Sequence, residues 1–222
     1  MTELITIQQF HESEGTGDWR VLSEGACAFF RTGSFASAAR FVAAIGGLPG
    51  LEAQPPEVDI RHDGVTLRLI TITADAYGMS RRDADLARQI SAIAREQGLS
   101  ADPSAVQNLL IVPGAPIGTD IVPFWRAVLG YEPRADSPDE DLVDSHRIGP
   151  SFWFESMREP RLDGGGAIHV AVWVPFEQAE ARVAAALAAG GRLVRDEHAP
   201  AWWTLADAAG NEADIATTAN RD

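Results

Sequence analysis

One cysteine and five histidines are the residues of this sequence whose side chains can attack a substrate or exchange protons near neutral pH. The cysteine is Cys27, so an intramolecular disulfide and a multi-cysteine zinc site are both excluded. Its neighbours, in the run Ala-Cys-Ala-Phe-Phe, predict a small core residue rather than a catalytic thiol. The candidate reactive groups are therefore histidines and carboxylates.

The charge and the hydropathy of the sequence disfavour nucleic-acid and membrane partners. All 18 cationic side chains are arginines, and 32 acidic residues give a formal net charge of −14 at pH 7, which disfavours binding to nucleic-acid phosphates. The opening MTELITIQQFHESEG is acidic where a signal peptide would be basic, and no apolar run approaches the roughly 18 residues of a membrane span. We expect a cytoplasmic protein without a nucleic-acid or membrane partner.

A pattern of strands and helices fills the first hundred residues. FASAARFVAAIGGL (35–48) has apolar residues three and four apart and ends at paired glycines, which predicts a helix. VTLRLITIT (65–73) predicts a strand, and Ser80 is the expected N-cap of a second amphipathic helix. The pattern predicts an α+β domain over residues 1–99, and the polar stretch 100–106 predicts a linker.

The remaining residues, 107–222, show one pattern twice. QNLLIV (107–112) and IHVAVWV (168–174) each predict a strand, and each is followed by a predicted helix and further strands. Two such units in tandem imply an internal pseudo-twofold axis and a cleft between curved sheets.

Two motifs in this half resemble the vicinal oxygen chelate superfamily, which includes glyoxalases and bleomycin-resistance proteins. FWRAVLGYEP (124–133) is similar to the F-Y-x-x-x-L-G-Y/F-E signature that follows the first strand. AGGRLVRDEHAPAWWTLADAAGNEADI (189–215) is similar to the closing segment, in which a D-P-x-G-N turn precedes the last strand. The resemblance covers roughly residues 107–217 and implies a paired βαβββ fold, although it does not fix a function.

The resemblance also implies a metal site, because metal-using members bind one ion with residues from the first and last strands of each unit. Matched position by position, these ligands are Gln107, Glu155, His169 and Asp214, and the match for Glu155 can shift by two residues without changing strand alternation. This set suits Mn²⁺, Fe²⁺, Ni²⁺ or Zn²⁺. A substrate carbonyl that occupied an open coordination position would be polarised by the ion. Glu155 and His169 are then the candidate catalytic residues.

The same residues allow a cleft without metal, in which His169 is simply hydrogen-bonded beside Asp214. The carboxylates of Glu155 and Asp214 would repel each other there unless a cation or a shared proton intervenes. Adjacent strand residues point to opposite faces, so one of Trp202 and Trp203 is expected to bind substrate while the other packs under a helix. Alternatively, both tryptophans are core or interface residues.

The first domain resembles pterin-4a-carbinolamine dehydratase over about residues 17–98. The matching segments are GDWR (17–20), the pattern F-x-T-G-x-F-x-x-A-x-x-F-V from Phe30 to Val42, and DAYGMSRRDADLA (75–87). The resemblance implies an antiparallel sheet with helices on one face and a homo-oligomer assembled through the helices.

The histidines of that family are replaced in this chain. Its H-H-P-E/D motif reads Gln54-Pro55-Pro56-Glu57. Its T-H-D/E motif reads Thr73-Ala74-Asp75, or Thr71-Ile72 if the gap is placed differently, and neither alignment contains a histidine. Losing a positioned acid–base group costs about 10²–10⁴ in rate, so we expect little dehydratase activity. Glu57 and Asp75 are retained and suit the N–H donors of a pterin-like ring, or else only cap turns, and His62 offers an alternative base.

The sequence therefore predicts a two-domain protein that binds a small molecule. Three functions stay open. These are metal-assisted isomerase, lyase or dioxygenase chemistry in the glyoxalase-like cleft, non-catalytic sequestration of a drug-like or pterin-like compound, and residual dehydratase activity.

Overall fold

The computed structural model describes residues 3–73, 76–118, 120–157, 168–206 and 212–220. The chain forms two compact units, unit 1 over residues 1–107 and unit 2 over residues 108–220. Both mix helices with sheet, which confirms the α+β class. Within the described ranges, no helix is both long enough and apolar enough to cross a membrane.

Unit 1 is an antiparallel sheet in the order β1-β2-β4-β3, with β7 added beside β2 and a separate β5–β6 hairpin. Its helices are α1 (Ile7–Glu12), α2 (Phe35–Gly46) and α3 (Arg81–Glu96), with short 3₁₀ turns at Leu51–Ala53 and Pro103–Ala105. Its strands are β1 (Arg20–Leu22), β2 (Gly25–Arg31), β3 (Glu57–Ile60), β4 (Gly64–Leu69), β5 (Thr71–Thr73), β6 (Ala76–Gly78) and β7 (Ser100–Ala101).

The core of unit 1 lies between the sheet and helices α2 and α3. Alternate residues of β2 and β4 point into it, as do Phe41 of α2 and Ile90 of α3, both fully buried. Trp19 is buried at its centre and donates its indole N–H to the Ala87 carbonyl (3.2 Å) and to Ser91 Oγ (3.1 Å). The expected sheet with helices on one face is therefore confirmed.

Residues 100–106, for which the sequence predicts a linker, pack onto unit 1. Ala101 pairs with Phe30 at the end of β2, and Asp102 forms an ion pair with Arg31 at 2.5 Å. Val106 is buried. The boundary between the units therefore follows Gln107, because backbone pairing holds the polar stretch against the sheet.

Unit 2 is a mixed sheet in the order β14-β15-β16-β13-β8-β11-β10-β9, with β12 continuing beside β8. Its helices are α4 (Val122–Leu129) and α5 (Phe176–Ala188). Its strands are β8 (Asn108–Pro116), β9 (Glu132–Arg134), β10 (Ser137–Val143), β11 (Ser151–Trp153), β12 (Glu155–Met157), β13 (Ile168–Trp173), β14 (Arg192–Arg195), β15 (Trp202–Ala206) and β16 (Glu212–Ala216).

The internal repeat is visible in the strand pairing. The first strand of each half, β8 or β13, is parallel to the last strands of the same half, and the two first strands meet antiparallel at the centre. One helix follows each first strand, and α4 ends at Gly130 with φ 68°, a left-handed conformation that favours glycine. The predicted paired βαβββ arrangement is therefore confirmed.

Both helices of unit 2 lie on one face of its sheet. Val172, Leu205 and Ile215 pack with Ala179 of α5, and Trp125 of α4 contacts the ring of Phe152 with centroids 5.5 Å apart. These strand residues alternate with a second set that points to the opposite face. We call that opposite face the polar face, and it contains Trp153, Glu155, His169, Thr204 and Asp214.

Candidate functional site

Strand register brings His169 and Asp214 to the same part of the polar face. Ala171 of β13 pairs with Asp214 of β16, and His169 lies two residues before Ala171, so both side chains leave the same face. Thr204 of β15 pairs directly with Asp214 from the other side. Three neighbouring strands therefore present a histidine, an aspartate and a threonine side by side.

These three side chains form a continuous chain of polar contacts. His169 Nε2 lies 3.3 Å from Asp214 Oδ2, and Thr204 donates its hydroxyl to Asp214 Oδ1 at 2.7 Å. Thr204 is buried, whereas His169 keeps 23% of its side chain exposed. Asp214 is thus held from both sides, and the imidazole that it orients stays accessible to a ligand.

The environment favours the charged form of this imidazole. The hydrogen bond with Asp214 raises the pKa of His169, burial opposes that shift, and the negative charges of Asp214, Glu155 and Glu212 add to it. A histidine with a carboxylate partner and partial exposure can donate or accept a proton.

Glu155 lies on the same face but makes no direct contact with the histidine in the described geometry. It pairs with Gly114 across β12 and β8, is exposed, and acts on His169 through its charge. Gln107 lies one residue before β8 begins and is exposed, and the register places Val112 opposite His169. The structure therefore brings together His169 and Asp214, places Glu155 nearby and leaves Gln107 outside the strand.

The side chains as placed do not fit the predicted metal site. Both carboxylate oxygens of Asp214 already have protein partners, His169 and Thr204. In the described part of the chain, no three histidine, cysteine, aspartate or glutamate side chains converge closely enough to hold an ion. The donor arrangement needed for Mn²⁺, Fe²⁺, Ni²⁺ or Zn²⁺ is thus not formed by Gln107, Glu155, His169 and Asp214.

The two adjacent tryptophans point in opposite directions. Trp203 packs with Leu205, Ile215 and the α5 core, on the helix side of the sheet. Trp202 shares the polar face with Thr204 and stacks on His198, with ring centroids 4.1 Å apart and 21° between the planes. Trp202 is thus the one of the pair that lies on the same face as His169.

The sequence did not predict two further features of the polar face, the exposed Trp153 and the ion pair of Glu212 with Arg195. Trp153 is 43% exposed and lies two residues before Glu155, so strand alternation alone could have placed it on the same face. Glu212 pairs with Arg195 at 3.3 Å, a contact that depends on the register of β14 with β15 and carries no local sequence signal.

In unit 1, protein contacts surround Gln54, which stands at one of the positions of the missing histidines, whereas Ala74 at another lies outside the described residues. Gln54 donates its side-chain amide to the Ile70 carbonyl at 2.5 Å, and Arg82 donates to the carbonyls of Gln54 (3.0 Å) and Gly50 (2.8 Å). Glu57 forms an ion pair with Arg68. The retained carboxylate therefore already has a cationic partner within the unit.

The remaining candidates of unit 1 do not converge on these positions. His62 lies between β3 and β4, is 94% exposed and has Nδ1 3.6 Å from Asp63. Asp75 lies outside the described residues. Cys27 is buried, and that burial raises the pKa of its thiol to about 12, as fits a core residue.

Unit 1 does contain a cavity of about 370 Å³, but at a different place. It lies between the N-terminal segment, the β1–β2 turn and the β5–β6 hairpin, and its walls include Ile5, Val21, Ile70 and Met79. Neither Gln54 nor Glu57 lines it. The cavity therefore gives no support to a pterin site at the positions of the family histidines.

Comparison with known proteins identifies each unit separately. Residues 4–93 match the family model described as pterin 4 alpha carbinolamine dehydratase, and residues 113–216 match the one described as a glyoxalase-like domain. A crystal structure of a glyoxalase/bleomycin resistance protein/dioxygenase superfamily member from Vibrio splendidus 12B01 is 17% identical, with a TM-score of 0.33. That match covers 50% of this chain and 99% of the other. No curated protein matches the chain.

Proposed function

Because the chain joins a pterin-4a-carbinolamine-dehydratase-like domain to a glyoxalase-like domain, we propose that it binds a small molecule on the polar face of unit 2. The observation that carries this proposal is the chain of contacts from Thr204 through Asp214 to the exposed edge of His169. Asp214 contacts the buried Thr204 with one carboxylate oxygen and His169 with the other, and these contacts orient the imidazole, as a binding or reacting group requires. Such side chains are costly to bury unless they are paired.

Proton transfer by His169 is the second candidate function for the same site. An imidazole hydrogen-bonded to a carboxylate can act as a general acid or base, which is what an isomerase or lyase needs at a carbon next to a carbonyl. The partial exposure of His169 favours this reading over a purely structural histidine. The donor geometry gives no comparable support to a metal-assisted isomerase, lyase or dioxygenase.

Unit 1 is proposed to have lost dehydratase catalysis. The side-chain amide of Gln54 donates to the Ile70 carbonyl and its side-chain oxygen accepts from Arg82. Neither the amide of Gln54 nor the guanidinium of Arg82 transfers protons near pH 7. His62 points to solvent, which weakens the case for residual activity through a replacement base. Assembly into a homo-oligomer and a cytoplasmic location remain predictions that follow from the family resemblance and the sequence.

The test is to identify a co-purifying compound by native mass spectrometry and to titrate it into variants of the full chain. Asp214→Asn and His169→Ala should each weaken binding about tenfold or more, since each removes a charge-assisted contact. His146→Gln is the matched control, because His146 is an exposed histidine of unit 2 in a loop between β10 and β11. Unchanged affinity in both site variants would contradict the proposal.

A further inference from the structure

Trp153 and Glu155 are an unusual pair of neighbours on the polar face. They lie two residues apart in consecutive strands that both pair with β8, so their side chains leave the same face. Trp153 is 43% exposed although it is one of the largest apolar side chains, and Glu155 beside it is exposed as well. An exposed aromatic ring beside a carboxylate is a combination that binds cations.

The register also sets the distance from this pair to the histidine. On one side of β8, His169 of β13 pairs with Val112. On the other side, Phe152 of β11 pairs with Ile111, so the same register places Trp153 beside Val112. Two strand spacings separate the backbones of Trp153 and His169 by about 10 Å. Aromatic rings pack with centroids about 4.5–7 Å apart, so one planar ring can stack on Trp153 while its edge faces His169.

Ion pairs engage three other carboxylates of this face in the described residues, but not Glu155. Asp214 pairs with His169, Asp141 with Arg134 at 2.8 Å, and Glu212 with Arg195 at 3.3 Å. In the described part of the chain, Glu155 makes no ion pair of this kind. Its exposed oxygens can therefore accept hydrogen bonds from a ligand.

We propose that Trp153 and Glu155 form a subsite for a planar aromatic ring that carries a cationic nitrogen. The ring stacks on the indole of Trp153 and its N–H groups donate to Glu155. This subsite rests on the proposed function, because it assigns a ligand class to the same face. The net charge of −14 further favours cationic over anionic ligands on approach.

The experiment uses benzamidine, a planar aromatic cation, with two matched probes. Benzamide has the same shape without the charge, and acetamidine has the charge without the ring. Binding is followed by ¹H–¹⁵N NMR titration of the full chain. We expect benzamidine to bind about tenfold tighter than benzamide and about three- to tenfold tighter than acetamidine, with shifts centred on β11, β12 and β13.

Variants separate the two contributions. Glu155→Gln should remove the preference for benzamidine over benzamide, and Trp153→Ala should remove its preference over acetamidine. Glu140→Gln removes an exposed carboxylate of β10 that points away from the polar face, and Phe176→Ala removes an exposed aromatic ring of α5. Both controls should keep both preferences, which also shows that the overall negative charge is not the cause.

The subsite is wrong if benzamidine binds equally well in Trp153→Ala and Glu155→Gln, or if it shifts no signal near Trp153. It is also wrong if Trp153→Ala changes the oligomeric state and leaves every titration unchanged, since Trp153 is then an interface residue. The two proposals can fail separately. If the benzamidine titrations give the expected preferences, but the co-purifying compound binds equally well to the His169 and Asp214 variants, then the proposed function is wrong and the subsite is supported.

Discussion

Asp214 is the residue whose partners decide between the two chemistries open to the polar face. A carboxylate that accepts from Thr204 on one oxygen and from His169 on the other is already satisfied and oriented. These two contacts support our proposal that Asp214 positions the imidazole of His169 rather than a metal ion.

We predict that His169 titrates above the 6.5 of an ordinary histidine, because Asp214 stabilises its protonated form. A raised pKa in the folded state stabilises the protein most below about 6.5, and this contribution is lost as pH rises through the raised value. Asp214→Asn should move the titration midpoint of His169 down. NMR titration of the imidazole protons measures both midpoints.

His146→Gln, at an exposed histidine of the same unit, is the control and should leave the His169 midpoint unchanged. A His169 midpoint at or below 6.5 in the unchanged protein would show that burial outweighs the aspartate.

At the scale of elements, capping and alternation explain what the sequence could predict. Helices α2 and α3 begin after Ser34 and Ser80, whose side chains accept hydrogen bonds from backbone N–H groups, and residues of this type can be recognised as N-caps from sequence. Alternation likewise gave the opposite directions of Trp202 and Trp203. The register between β8 and β13 did not follow from these signals, because it depends on contacts between distant segments. The sequence places Gln107 at the start of the strand, whereas β8 begins one residue later, at Asn108.

The same limit explains residues 100–106. Their composition is typical of a linker, but Ala101 pairs with Phe30, which lies 71 residues earlier in the chain. Local sequence cannot report such a pairing. The ion pair of Asp102 with Arg31 adds to it.

We predict that Ser80→Ala lowers the free energy of unfolding of unit 1 by about 1–2 kcal/mol, the usual loss for an N-cap in a folded protein. The Ser80 hydroxyl binds Asp83 Oδ2 at 2.7 Å and Thr71 Oγ1 at 2.8 Å, and all three side chains are buried. Urea unfolding followed by NMR signals of unit 1 measures the change. Ser37→Ala, in the first turn of α2, is the control and should change stability by less than about 0.5 kcal/mol. The prediction is contradicted if Ser80→Ala lowers the free energy of unfolding no more than Ser37→Ala does.

At the scale of the whole molecule, each unit matches a different family model, and we propose that the two units differ in role. Unit 1 matches the dehydratase family model, and we propose that it lacks proton-transfer groups, because a hydrogen-bonded Gln54 stands where the family has a histidine. Unit 2 keeps the paired fold of a glyoxalase-like domain and presents an oriented imidazole on its polar face. We therefore propose that ligand binding belongs to unit 2.

The most direct test of that assignment is a ¹H–¹⁵N NMR map of the full chain with the compound that co-purifies with it. We predict that the largest shifts fall on His169, Asp214 and Thr204 and their neighbours in β13, β15 and β16. Shifts confined to unit 1, around Gln54 and Glu57, would contradict the account and return the ligand to the dehydratase-like domain.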